Sequence, residues 1–307
     1  MSRIFFPNFG VQLTKLLFLL LAIHFVSTQA QTQFPSPMVD HSRTHERIKK
    51  DTVSGKQFEI KSFLPKPIEA YLPQKSFDTD SLRLLIHFHG AAYVPINAVE
   101  KSQKTYFLAT INMGGRSSAY EKPFLEDSSF ASLVNALQDS LTIILGEERK
   151  FSGIYLSAFS AGYGAVRAIL NQQSAFRFVD GVILLDGLHT DYIPEGQVLA
   201  EGGKLNTTKL SPFLKLAKLA IEGKKVFLFT HSEIFPGSYA STTETADYLI
   251  RECGLSNKPV LKWGVLGMQQ ISEARKGRFI VLGFAGNTAP DHVDHLHALF
   301  EFLRYLD

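Results

Sequence analysis

Ser160 lies in the segment LSAFSAGYGAV, residues 156–166, where small residues stand two positions before it and two after it. An apolar run typical of a strand precedes this serine, and a helical pattern follows it. A serine on a strained strand-to-helix turn needs small neighbours, because larger side chains collide with the adjoining backbone. The pattern therefore predicts Ser160 as a nucleophile. A tight turn before a closely packed helix is the purely structural alternative.

Three histidines are clustered near the end of the chain, at His292, His295 and His297 in the segment DHVDHLH. An imidazole can act as the general base that removes a proton from a serine hydroxyl. Two imidazoles in such a segment could also chelate one metal ion, which makes a metal-dependent hydrolase an alternative. The sequence contains no H-E-x-x-H motif, however. It therefore favours a reaction that needs neither a metal nor another cofactor.

The elements that must position these residues are short apolar runs that alternate with helical patterns. This alternation predicts one α/β domain over residues 56–307, with a mostly parallel central sheet and helices on both faces. The longest insertion between strands, residues 187–224, is a candidate small cap. Residues 255–277 read as an irregular stretch. The predicted strands lie in the segments KQFEIKSFLP, IEAYLP, LRLLIHFHG, YFLATINMG, GIYLSAF, GVILLD, KVFLFTH and RFIVLGFAG.

Composition and charge narrow the classes of partner. The chain has 307 residues, of which 45% are hydrophobic and 20% are charged, and its formal net charge is +3. So small an excess of positive charge does not indicate a nucleic acid or an anionic surface as partner. Cys253 is the only cysteine, so no intrachain disulfide can form. We expect a globular protein that acts on a small-molecule or polymeric ester or peptide.

The N-terminal residues have the composition of an export signal. The apolar run at residues 15–26 is shorter than a membrane span requires, and small and polar residues follow it. This pattern predicts a signal peptide over residues 1–30 with cleavage after Ala30, and a membrane anchor is the alternative. Residues 31–55 predict a linker or mobile arm. We therefore expect a secreted or periplasmic protein without stable membrane insertion after cleavage.

The turn at Ser160 and the strand-ending segment HFHGAA together give the chain a family resemblance. Residues 55–307 resemble the α/β-hydrolase superfamily, and the resemblance implies the α/β-hydrolase fold. Backbone N–H groups stabilise the oxyanion in such enzymes. The resemblance implies that Ala161 and Ala91 supply these groups, while Gly90 lets the backbone bend next to the substrate.

The resemblance also implies where the base and the acid lie. The base follows the last strand, which favours His292 and leaves His295 as the alternative base. The acid follows another strand end, where Asp186 and Glu233 both qualify. Asp186 is preferred because a carboxylate directly at the end of an apolar strand is expected to have a function. Glu233 remains the alternative acid.

These residues predict a secreted serine hydrolase that uses a Ser-His-acid triad on a carboxylic ester. A serine peptidase on the same fold, a metal-dependent hydrolase and a non-catalytic binding module are the alternatives. Arg116 and Tyr120, in residues 114–124, are predicted to contact the substrate. An arginine in that position can bind a carboxylate or a phosphate through two parallel hydrogen bonds.

Overall fold

The computed structural model describes residues 50–61 and 63–306. The predicted signal peptide, residues 1–30, and the predicted linker as far as residue 49 lie outside the described residues. Among the residues described, no helix is both long and apolar enough to cross a membrane.

Ten strands form one sheet, and two further short strands pair with each other. The order across the large sheet is β1-β2-β4-β3-β5-β6-β9-β12-β11-β10, and the small hairpin is β7-β8. The strands are β1 (Lys56–Ile60), β2 (Ile68–Leu72), β3 (Leu82–Phe88), β4 (Tyr106–Ile111), β5 (Phe151–Phe159), β6 (Val179–Leu185), β7 (Tyr192–Ile193), β8 (Lys204–Leu205), β9 (Val226–His231), β10 (Lys258–Trp263), β11 (Gln269–Lys276) and β12 (Phe279–Phe284).

The six adjacent strands from β4 to β12 in that order run parallel. The strand pairs at the two margins of the sheet are antiparallel. They are β1-β2 and β2-β4 at one margin, and β10-β11 and β11-β12 at the other. The parallel strands are buried on both faces, which explains their nearly continuous apolar sequences. The prediction of a mostly parallel central sheet is confirmed.

Helices cover both faces of this sheet. They are α1 (Tyr93–Ser102), α2 (Ser117–Glu121), α3 (Ser129–Leu145), α4 (Tyr163–Asn171), α5 (Gln173–Phe178), α6 (Ser211–Ile221), α7 (Thr242–Glu252), α8 (Ala289–His297) and α9 (Leu299–Phe302). Alternate residues of a strand point to opposite faces, so Leu84 and Ile86 of β3 belong to the core cluster that includes residues of α2 to α7. Leu85 belongs to the other cluster, which includes residues of α1, α8 and α9. The helices on both faces are thus as predicted.

Two stretches differ from the sequence expectation. Residues 255–277, expected to be irregular, contain the antiparallel strands β10 and β11. Strand β10 is a largely exposed edge strand, so it lacks the continuous apolar run that identifies a buried strand. The candidate cap at residues 187–224 divides into the small β7-β8 hairpin and the core helix α6, whose Phe213 and Leu216 are fully buried. Helix α6 therefore packs against the sheet as part of the core.

Candidate active site

Three residues with left-handed backbone conformations directly follow three neighbouring parallel strands. They are His89 after β3, Ser160 after β5 and Asp186 after β6, with φ of 76°, 45° and 43°. This region of φ is uncommon for any residue except glycine, and its cost is of order 1–3 kcal/mol per residue. The carboxyl ends of parallel strands meet at one edge of a sheet, where α/β proteins bind their ligands. Backbone strain is therefore concentrated at this edge.

The small residues around Ser160 permit close backbone contacts. A methyl group on Gly162 would lie 2.3 Å from the carbonyl oxygen of Phe88, and one on Gly164 would lie 2.2 Å from that of Ser117. Both distances are far below van der Waals contact, so glycine is required at each position. The spacing recognised in the sequence thus lets α4 lie directly against β3 and the start of α2, with Ser160 half-buried on the turn before it.

His292 and Asp186 form a short hydrogen bond across the same edge. The distance from His292 Nδ1 to Asp186 Oδ2 is 2.6 Å, although the residues are 106 positions apart. An ionised carboxylate only accepts hydrogen bonds, so Nδ1 carries the proton and donates it. In the neutral imidazole Nε2 then holds a free lone pair, as a general base requires.

A cap at the start of α8 positions His292. Thr288 Oγ1 accepts a hydrogen bond from Asp291 N, and Asp291 Oδ2 accepts one from Thr288 N at 2.8 Å. This reciprocal capping box satisfies two N–H groups that a helix start otherwise leaves unpaired. The imidazole of His292 also packs against the ring of Phe159, with ring centroids 4.5 Å apart. Phe159 is the residue before Ser160, so the imidazole contacts both Asp186 and the turn that carries the serine.

Asp186 is buried, and donors from the loop after β9 and from the start of α7 surround its carboxylate. Ser232 donates from its backbone N at 2.9 Å and from Oγ at 2.7 Å, and Thr242 Oγ1 donates at 2.6 Å. Burial by itself raises the pKa of this carboxyl, but the nearby imidazoles of His295 and His292 and these hydrogen bonds outweigh burial. They hold the pKa of Asp186 well below its usual range, so the carboxylate stays ionised.

The alternative acid and the alternative base lie elsewhere. The carboxylate of Glu233 is exposed and accepts a hydrogen bond from Gly286 N at 3.2 Å, with no bond to His292. His295 is buried, and its Nδ1 lies 2.7 Å from Thr230 Oγ1. Burial lowers the pKa of His295 to about 4. The structure thus brings His292 together with Asp186, and it does not bring Glu233 or His295 into that contact.

The predicted oxyanion residues lie in the two connections that follow β5 and β3 at this edge. Ala161 follows Ser160 and lines a cavity with it, and Ala91 is exposed within the loop between β3 and α1. Between His89 and Ala91, Gly90 has φ of 115°, and a methyl group on it would lie 2.7 Å from Leu296. Gly90 therefore allows a backbone conformation in this loop that a residue with a side chain would strain.

The two predicted substrate contacts are placed differently. Arg116 is exposed and lines the same cavity as Ser160. Tyr120 is fully buried, and its hydroxyl contacts His89 Nδ1 at 2.8 Å, Asn112 Oδ1 at 3.1 Å, Met113 N at 3.0 Å and Gly114 N at 3.2 Å. The prediction that Tyr120 contacts the substrate is therefore wrong, because Tyr120 joins the loops after β3 and β4 inside the protein.

Sequence patterns did not reveal several residues of this site. Ser232 and Thr242 bind the carboxylate of Asp186, and His189 and Tyr239 line the cavity beside Ser160. Their hydroxyl and aromatic side chains follow no motif, and the only available signal was their position after strands β6 and β9. Among the described residues, no group of three or more His, Cys, Asp or Glu side chains could hold a metal ion.

No protein-family model matches the sequence, and no curated protein matches it. Solved structures do match the chain. The acetyl xylan esterase from Aspergillus awamori is 12% identical with a TM-score of 0.46, and the match covers 81% of this chain and 100% of that one. The S-formylglutathione hydrolase (FrmB) from Staphylococcus aureus is 14% identical with a TM-score of 0.44, covering 83% and 99%. Est1E from Butyrivibrio proteoclasticus is 12% identical with a TM-score of 0.40, covering 82% and 98%.

The strand order, the helices on both faces and the strand–turn–helix geometry at Ser160 together make this an α/β-hydrolase fold, as the sequence predicts.

Proposed function

We propose that this protein is a serine hydrolase that cleaves carboxylic esters with Ser160, His292 and Asp186. One observation carries the proposal. The imidazole that donates to Asp186 over 2.6 Å also packs on Phe159, the residue before Ser160. A serine, a correctly protonated imidazole and a buried carboxylate at one sheet edge are the groups that nucleophilic acyl transfer needs.

In this mechanism Ser160 Oγ attacks the ester carbonyl carbon while His292 Nε2 takes the hydroxyl proton. The carbonyl oxygen becomes an oxyanion, which the N–H groups of Ala161 and Ala91 stabilise. The tetrahedral intermediate collapses, and the alcohol leaves with the proton from the imidazolium. Water then attacks the acyl-enzyme with His292 again as base, which releases the carboxylic acid and restores the serine.

The ionised Asp186 has two functions in this scheme. Its carboxylate accepts the Nδ1 proton, so the imidazole keeps the tautomer whose Nε2 is free. Its negative charge also stabilises the imidazolium that forms during each transfer. The four hydrogen bonds from His292, Ser232 and Thr242 offset the cost of burying that charge.

A non-catalytic binding module on the same fold is less well supported. Left-handed backbone at Ser160 and a buried ionised carboxylate at Asp186 both cost stability, and a site that only binds needs neither. A serine peptidase uses the same groups, so a comparison of substrates has to separate amide from ester cleavage.

The test is labelling with a fluorophosphonate, which reacts covalently with activated serines. The parent and Ser174→Ala, which removes an exposed serine of α5, are expected to be labelled, and Ser160→Ala is expected to remain unlabelled. Circular dichroism has to show that all three are folded. Equal labelling of the Ser160→Ala variant, or no labelling of the folded parent, would refute the proposal. Turnover of aryl esters without cleavage of matched peptide amides supports the esterase, and cleavage of those amides favours the peptidase.

We also propose that the protein is exported and cleaved after Ala30. N-terminal sequencing of the protein from the medium or the periplasm should then begin at Gln31. Recovery of the uncleaved chain in the membrane fraction would instead support the anchor.

A further inference from the structure

A cavity of about 330 Å³ opens beside Ser160. Its walls come from the loops that follow β4, β5, β6 and β9, so it lies at the sheet edge that carries the candidate active site. The side chains that matter for its chemistry are Arg116, Tyr163, His189, Asp191 and Tyr239. A substrate held by Ser160 therefore extends into a space with one basic and one acidic side chain in its walls.

The acidic side chain of the cavity already has a partner. The carboxylate of Asp191 forms an ion pair with Lys209 Nζ. Arg116 is exposed, and within the described part of the chain its guanidinium forms no ion pair. The fixed charges of Asp191, Lys209 and Arg116 therefore sum to one positive charge, which Arg116 presents to the cavity.

The remaining walls are uncharged. His189 Nδ1 donates to the carbonyl oxygen of Ala240 at 2.8 Å, and its ring meets the edges or faces of Tyr163 and Tyr239. Burial lowers the pKa of His189, so the imidazole is neutral near pH 7. The nine-residue helix α4 begins at Tyr163 in the same wall, and a helix start carries partial positive charge. These walls thus add no negative charge to the cavity, and the nearest carboxylate behind them, that of Asp186, is buried and hydrogen-bonded to His292.

We propose that this cavity binds a carboxylate on the ester substrate, with Arg116 as the residue that selects it. The inference rests on the proposed esterase function and adds the class of substrate. A guanidinium can give two parallel hydrogen bonds to a carboxylate, and such charge-assisted pairs are stronger than neutral ones.

The test compares pairs of esters that carry a carboxylate or a neutral group at the same position. On the alcohol side, the pair is 4-acetoxybenzoate and its methyl ester. On the acyl side, the pair is mono-4-nitrophenyl adipate and 4-nitrophenyl hexanoate. For at least one pair, we expect the parent to have a higher kcat/KM for the anionic ester than for the neutral ester. The ratio of these two kcat/KM values should fall about 10-fold or more in Arg116→Gln. Arg116→Lys should retain part of the preference, since it keeps the charge and loses the planar fork.

Arg177→Gln is the matched control, because Arg177 is an exposed arginine on α5 that does not line the cavity. It changes the net charge equally, and the ratio should equal that of the parent. A parent ratio near one for both pairs, or equal ratios in the parent and Arg116→Gln, would overturn the inference. 4-Acetoxyphenyl phosphate is a further substrate in the test. If kcat/KM favours it over both carboxylates and this preference depends on Arg116, the cavity selects phosphate. That result would likewise overturn the carboxylate proposal.

The two proposals fail in distinguishable ways. Turnover of the neutral esters and fluorophosphonate labelling of Ser160 report the hydrolase itself, whatever the charge of the substrate. If the neutral esters are cleaved and the charge ratio does not depend on Arg116, only the carboxylate site is wrong. If neither labelling nor turnover occurs in the folded parent, the hydrolase proposal fails first.

Discussion

Gly187 lies in backbone contact with Ser160. A methyl group on Gly187 would lie 2.5 Å from the carbonyl oxygen of Ser160 and 2.6 Å from its backbone N. Gly187 directly follows Asp186, so the loop that carries the carboxylate rests on the turn that carries the serine. This contact fixes the two strand ends relative to each other and leaves no room for a side chain between them.

Gly187→Ala should therefore destabilise the protein and lower its turnover. We expect the free energy of unfolding to fall by about 1–3 kcal/mol, because the added methyl group must displace backbone. Urea denaturation followed by circular dichroism measures this loss. Gly115→Ala is the control for stability, since a methyl group there meets no atom within 4 Å. Equal stability of the two variants would contradict the close contact.

Asp186→Asn should lower kcat/KM for esters by about 10³–10⁴, because an amide can no longer stabilise the imidazolium or enforce the Nδ1 tautomer. Glu233→Gln is the matched control, since the side chain of Glu233 has no bond to His292. We expect that control to stay within a few-fold of the parent. Steady-state kinetics on one aryl ester measure both, and a larger loss in Glu233→Gln would reverse the assignment of the acid.

Tyr120→Phe should lower turnover although the side chain does not line the cavity. It removes the hydroxyl that joins His89 to Asn112 and to the backbone of Gly114. The loop from His89 to Ala91 then loses an anchor, so we expect kcat to fall more than KM changes. The free energy of unfolding should fall by about 1–3 kcal/mol.

Tyr71→Phe separates positioning from stability. Tyr71 is another fully buried tyrosine, and it lies on strand β2 near the margin of the sheet. Its hydroxyl donates a hydrogen bond to the carboxylate of Glu100 at 2.6 Å. Its loss should destabilise the protein and leave kcat close to that of the parent. A similar fall of kcat in both variants would mean that Tyr120 acts on turnover only through stability.

Stability should fall as the pH drops from 7 to 5. Burial lowers the pKa of His87 and of His295 to about 4, whereas an imidazole in an unfolded chain titrates near 6.5. Between these values the unfolded chain binds protons that the folded chain excludes, so acid favours unfolding. Each of the two histidines should contribute a loss of about 2 kcal/mol at pH 5 relative to pH 7.

Urea unfolding of the parent and of His87→Gln at both pH values measures this dependence. The variant should lose less stability than the parent between pH 7 and pH 5, whatever its stability at pH 7. An identical pH dependence of the two proteins would show that His87 is not excluded from protonation in the folded state.

The features that the sequence predicted well depend on local constraints. Buried parallel strands read as continuous apolar runs, and the turn at Ser160 demands small residues within two or four positions of the serine. The sequence did not predict strands β10 and β11. Strand β10 is an exposed edge strand, so it buries little and carries no apolar pattern. Sequence periodicity follows burial, so it is silent where burial is slight.

By itself the sequence determined the parallel sheet, the strand-to-helix turn at Ser160 and the cluster of histidines after the last strand, since each depends on residues close together in the chain. Only the tertiary structure decided that His292 contacts Asp186 and that Tyr120 faces inward. Asp186 and Glu233 follow the neighbouring strands β6 and β9, so strand position cannot separate them. The direction of each side chain separates them, and packing between segments as much as 106 residues apart sets that direction.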